Sequence, residues 1–164
     1  IAHILGLNSV AERYADIAKK MAMKWEEMAN EGDHYRLAFD RNNTWSQKYN
    51  IIWDKMWNLN IFPNNVISKE INYYLTKQNL YGLPLDSRRD YTKSDWIMWT
   101  AAMSPNREIF EKFVDPLYKY INETTSRVPI GDWHDTKTGR MTGFKARSVI
   151  GGYWIQVLMD KMNH

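Results

Sequence analysis

Between Tyr81 and Trp99 the sequence YGLPLDSRRDYTKSDWIMW sets three carboxylates (Asp86, Asp90, Asp95) among three cations (Arg88, Arg89, Lys93). Carboxylates held beside cations at the mouth of an apolar helix are suited to hydrolysis by acid–base chemistry. One carboxyl keeps its proton because it is buried, while the other stays charged and activates water. Asp86 and Asp95 are the candidates for these catalytic roles. Each also has a structural alternative. Asp95 lies three residues after Thr92, where a capping box would put it, and Asp86 could serve a turn or an ion pair. Arg88, Arg89 and Lys93 could hold a substrate carboxylate or pair with the neighbouring aspartates.

Other chemistry is sparse. His34 and His134 lie in separate loops without the fixed spacing of a metal set, so neither a metal nor a cofactor is expected. Asp132, Trp133 and Asp135 surround His134. Trp96, Trp133 and His134 join the candidate substrate contacts, with core packing as the alternative fate of the tryptophans. The chain has no Cys, and G-x-S-x-G, S-x-x-K, P-loop and H-E-x-x-H motifs are all missing. Its net charge of +3 comes from 22 basic and 19 acidic residues, and no basic run exceeds two residues. That distribution gives no electrostatic footprint for nucleic acid. No apolar run is long enough to span a membrane. The expected partners are a small-molecule or glycan substrate and the remainder of a longer chain, because the opening IAHILGL reads as a piece cut from something larger.

The elements that must position these residues read as helices. Residues 1–7 suggest the end of a buried helix. Helix one starts at Ser9 with Glu12 as a capping-box partner, and carries Val10, Tyr14, Ile17, Met21, Trp25 and Met28 on one stripe. A short strand is possible over Tyr35–Phe39. Helix two is expected from about Thr44 to Asn58, and helix three from Pro63 to about Gln78. Helix four should begin at Thr92. Helix five follows Ser104–Pro105, with Ser104 as N-cap and a kink at Pro116. Asp135–Gly139 reads as a turn between hairpin strands, and helix six covers about Ser148 to Met162. One-striped helices (one, three, five) alternate with helices that are apolar nearly all round (two, four, six), and each long loop leads into one of the latter. That alternation predicts an all-α fold of helical hairpins in two layers, about half of an α/α toroid, with small β-hairpins in the long loops. Residues 1–164 form a single partial domain in this reading. The inner helices then present their N-termini, with positive dipole ends, on one loop-bearing edge.

HYRLAFD with TWSQKYN, YGLPLDSRRDYTKSDWIMW, and DTKTGR with FKARSVIGG together resemble the glutaminase A family, over nearly the whole chain. The resemblance implies the C-terminal part of a helical toroid like that of six-hairpin glycosidases. It also implies a glutaminase-like amidohydrolase, glutamine giving glutamate and ammonia, working outside the cell as a secreted, periplasmic or cell-surface protein. A carbohydrate-active hydrolase and a non-catalytic binding module are the alternatives. On any of these readings the isolated piece is expected to be inactive.

Overall fold

The computed structural model describes residues 1–162. Six α-helices and one small antiparallel sheet make up the described chain: α1 (Asn8–Ala29), α2 (Ile52–Met56), α3 (Asn65–Leu75), β1 (Tyr91–Lys93), α4 (Ser94–Ala102), α5 (Arg107–Glu123), β2 (Trp133–Asp135) and α6 (Ile155–Met162). Short 3₁₀ segments, Tyr49–Ile51 and Ser148–Trp154, lead into α2 and α6.

The centre of the molecule is α4. Its sequence is apolar on nearly every side, so it packs against α2, α5, α6 and both 3₁₀ segments. Ile97, Ala101 and Ala102 of α4 join Phe113 and Leu117 of α5 and Ile155 and Met159 of α6 in one core. Asn106, rather than Ser104, caps α5, its side chain accepting from the Ile109 amide at 2.9 Å. The helix runs unbroken through Pro116. The carbonyl that this proline cannot satisfy, that of Lys112, accepts a hydrogen bond from Gln78 Nε2 at 2.7 Å instead.

Several expectations change for local reasons. Residues 1–7 form exposed turns, and α1 starts at Asn8 with no side-chain cap, so the Ser9–Glu12 box does not form. Ser9 already lies inside the helix, where it has no free amide to cap. The strand over Tyr35–Phe39 shrinks to a single bridge between Asn30 and Tyr35. Helix two loses its first turn because Trp45, Ser46 and Gln47 are extended, pairing with the Leu85–Ser87 stretch. Helix four loses Thr92, because Tyr91–Lys93 pairs as β1 with β2 in the register Tyr91–Asp135, Thr92–His134, Lys93–Trp133. Helix six is α-helical only from Ile155.

These changes join the long loops to one another. The first loop hydrogen-bonds to the second through Gln47 N to Leu85 O (2.8 Å) and Ser87 N to Trp45 O (2.9 Å). The second joins the third through β1–β2 and through Thr136 N to Asp90 O (2.7 Å). The turn at Asp135 closes on its own carboxylate, which accepts the amides of Lys137 and Thr138. No described helix is long and apolar enough to cross a membrane.

Candidate functional site

The N-terminus of α4 is built by the β1–β2 ladder. Because β1 runs directly into the helix, Lys93, Ser94 and Asp95 are fixed in orientation by a sheet on one side and a core helix on the other. Ser94 donates its amide (2.7 Å) and its hydroxyl (3.0 Å) to the Asp132 carbonyl, and the Tyr153 hydroxyl donates to Ser94 Oγ (2.6 Å). The Asp132 side chain is fully enclosed. Its Oδ2 meets Lys93 Nζ at 3.0 Å, with Arg147 Nε at 3.9 Å. The Lys93 ammonium in turn lies 4.3 Å from the Trp133 ring centre, on its face.

Asp95 is buried beside this pair. Burial is the largest influence on its pKa, which rises to about 6. The amides of Asp95 itself and of Trp96 pull it down, the Asp132 charge pushes it up, and Lys93 pulls it down. The N-cap residue of α4, Lys93, makes no side-chain cap bond, and Thr92, the expected capping-box partner of Asp95, sits in the strand, so the box does not form. Among the described residues, Asp95 Oδ1, Asp132 Oδ1 and the Trp99 indole N–H are enclosed without hydrogen-bond partners. Gly152 closes over two of these groups. A Cβ there would stand 2.8 Å from Trp99 Nε1 and 3.2 Å from Asp95 Cβ. Unpartnered buried polar atoms are rare, and a cluster of them marks a place where a ligand or a proton can be taken up.

Trp96 also lines an open cleft of about 370 Å³, together with Trp25, Lys48, Tyr49, Phe62, Asp86 and Arg88 among others. Tyr49 stacks on Trp96 at 4.0 Å and 10°. Tyr49 links the cleft to Asp95, whose charge, after burial, raises the phenol pKa. Asp86 accepts three hydrogen bonds from Arg88: the main-chain amide (2.8 Å) and Nε (3.0 Å) on Oδ1, and Nη2 (2.7 Å) on Oδ2. A carboxylate so engaged orients an arginine and has little freedom to shuttle protons. Lys48 turns its ammonium inward to Tyr35 O, Ser46 O and Ser46 Oγ, near Glu70.

The residues singled out from the sequence therefore fall into two adjoining groups. Asp95, Lys93 and Trp133 meet around Asp132; Asp86, Arg88 and Trp96 meet in the cleft. Arg89 is exposed in an adjoining depression that Asp86, Arg88 and Asp90 also line. His134 faces the interior, its Nε2 on Tyr81 O (2.8 Å) and its ring stacked 3.6 Å from Tyr120. Burial holds its pKa down to about 4. Asp132, Arg147 and Tyr49 were not singled out as site residues. Asp132 shows its role only through Lys93, 39 positions away, which no local spacing reveals.

Against known proteins, the family model described as the glutaminase A six helical-hairpin domain matches residues 1–157. Glutaminase A of Aspergillus oryzae (strain ATCC 42149 / RIB 40) is 31% identical over 166 residues, covering 97% of this chain and 24% of that protein. A probable glutaminase/05536 of Arthroderma benhamiae (strain ATCC MYA-4681 / CBS 112371) is 26% identical over 202 residues, covering 96% of this chain and 23% of that protein. The chain thus spans about a quarter of the length of the curated relatives it matches. No solved structure matches it.

Proposed function

The chain belongs to the glutaminase A six helical-hairpin family, and from that premise we propose that it supplies the acid–base wall of a glutaminase-like amidohydrolase. The reaction is glutamine plus water to glutamate plus ammonia. The observation that carries the reading is Asp95, an enclosed carboxyl with a free Oδ1 and a pKa near 6 beside the ion-paired Asp132. As general base, Asp95 takes a proton from water while the water oxygen bonds to the carboxamide carbon. The C–N bond then breaks, and the proton passes from Asp95 to the departing nitrogen. A pKa near the working pH suits both transfers. Lys93 and Arg147 hold Asp132 so that its charge bears on Asp95, and Asp86 positions Arg88 as the receptor for a substrate carboxylate. The half-ring toroid and a location outside the cell belong to the same proposal, and its support is the family membership.

Ammonia release from L-glutamine by the full-length protein tests the proposal. Asp95→Asn should lower kcat by about 100-fold or more while leaving the fold intact by circular dichroism. Wild-type rates should rise as pH increases through about 6, as Asp95 ionises. An Asp95→Asn protein with full activity overturns the assignment.

The Tyr49–Trp96 stack favours a second reading, a carbohydrate-active hydrolase, since flat aromatic pairs also suit sugar faces and paired carboxylates also cleave glycosidic bonds. Turnover of a glycan panel with none of glutamine would select it.

A further inference from the structure

We infer that residues 143–152 form a lid over Asp95, shut in this structure, and that ionisation of Asp95 opens it. Its use in catalysis rests on the glutaminase-like reading above; the movement rests on the contacts of the segment itself.

Three observations lead there. The first is what the segment covers. Gly152 lies so close to α4 that an added Cβ would stand 2.8 Å from Trp99 Nε1 and 3.2 Å from Asp95 Cβ. Asp95 and Trp99 are one helical turn apart, so both face the segment. Asp95 Oδ1 and the Trp99 indole N–H are enclosed, and among the described residues neither has a hydrogen-bond partner. A cover that leaves a buried acceptor and a buried donor unsatisfied costs free energy, and lifting it returns both to water or substrate.

The second is how the segment is built. Ser148–Trp154 is a 3₁₀ run of seven residues, longer than such helices usually persist, and it carries Gly151 and Gly152. Its apolar spacing, with Val149 four before Tyr153 and Ile150 four before Trp154, suits an α-helix continuous with α6. Rewinding it as α-helix would shorten it by roughly 3 Å and draw Gly152 off Asp95. Upstream, Gly143 (φ +76°) and Ala146 (φ +57°) hold left-handed backbone, two bends about which the chain can swing. The far end is anchored, Tyr153 donating its hydroxyl to Ser94 Oγ at 2.6 Å. The near end is tied loosely, with Arg147 Nε 3.9 Å from Asp132 Oδ2.

The third is charge. With the lid shut, Asp95 is 4% exposed beside the fully enclosed Asp132. Lys93 bears on both carboxylates, Tyr49 and Tyr153 feel the Asp95 charge from the two 3₁₀ segments, and Arg147 reaches Asp132 from the lid. Lys93 already pairs with Asp132 at 3.0 Å, so a second negative charge at Asp95 is poorly compensated. Burial accordingly raises the Asp95 pKa to about 6. The protonated carboxyl favours the shut lid, and that advantage is lost as pH rises through 6.

Exchange of the Trp99 indole N–H in the full-length protein, followed by NMR and assigned with Trp99→Phe, tests the inference. After correction for the intrinsic exchange rate at each pH, opening should be about 10-fold more frequent at pH 7.5 than at pH 5. Asp95→Asn should remove that difference. Gly152→Ala, whose Cβ wedges the lid, should raise exchange at pH 5 by about 10-fold while the circular dichroism stays that of wild type. Wild-type exchange that is the same at both pH values, an equal pH dependence in Asp95→Asn, or unchanged exchange in Gly152→Ala overturns the inference. Opening that depends on pH, with no ammonia released from L-glutamine, upholds the lid and overturns the amidase reading; ammonia release with exchange independent of pH does the reverse.

Discussion

At the scale of single residues, Asp95 and His134 bend the pH dependence of stability in opposite directions. Asp95 has a folded pKa of about 6, above its ordinary 3.8, so folding is favoured by its protonated form. Its contribution is fully present below about pH 4 and is lost as pH rises through 6. His134 is the reverse. Its folded pKa of about 4 lies below the ordinary 6.5, so its contribution is present above 6.5 and is lost as pH falls through 4. The wild-type curve hides both. Asp95→Asn removes one, so the variant should match wild type near pH 4 and exceed it at pH 7 by about 1–2 kcal/mol. The full shift of about two pH units is worth roughly 3 kcal/mol, discounted here because a buried asparagine amide also needs hydrogen-bond partners. Urea unfolding at both pH values measures this. A variant no more stable than wild type at pH 7 would show that Asp95 carries no burial penalty. Asp95→Asn is therefore expected to lose activity and gain stability, as happens when a site is held in an electrostatically costly state.

At the scale of elements, the Gln78–Lys112 contact shows how α5 tolerates Pro116. Gln78→Leu leaves the exposed Lys112 carbonyl to water and should cost no more than about 0.5 kcal/mol, read as a slightly lower denaturation midpoint; Pro116→Ala in the same background should recover it by restoring the helical amide. Gly152→Ala should disturb the site more than the fold, since its new Cβ meets Trp99 Nε1 and Asp95 Cβ. The expected result is a change in Trp fluorescence with a Tm shift of only a few degrees. The helices themselves were legible in the sequence wherever apolar spacing was regular, as at Phe113, Leu117 and Tyr120, and so was the turn at Asp135–Gly139. Helix boundaries beside the long loops were not. Trp45–Lys48 and Tyr91–Lys93 have helical patterning, yet their backbones pair with segments about 40 residues away, and that preference wins over local propensity. The same distance hid Asp132. The charged stretch around Asp86 and Arg88 stood out because its partners lie two residues apart.

At the scale of the whole molecule, packing is uneven. Val10, Tyr14, Ile17 and Met21 leave much of the apolar stripe of α1 exposed, whereas Ala22 and Ala29 are buried and Trp25 packs on Tyr35 and Phe62. Met21→Lys should change stability by less than about 0.5 kcal/mol and Trp25→Ala should cost about 2–3 kcal/mol, compared by denaturant midpoints. The β1–β2 ladder has the opposite character, and its three residue pairs constrain how the gene can vary in length. Surface loops ordinarily accept inserted residues cheaply. Here one residue added between Gly131 and Trp133, or between Asp90 and Lys93, shifts the register by one and turns every strand side chain to the other face. Lys93 would leave Asp132, and a fully enclosed carboxylate would lose its nearest counter-ion. Length variation among related chains should therefore avoid these two stretches and collect in exposed segments such as Lys145–Ala146, a rule about gaps imposed by a single ion pair.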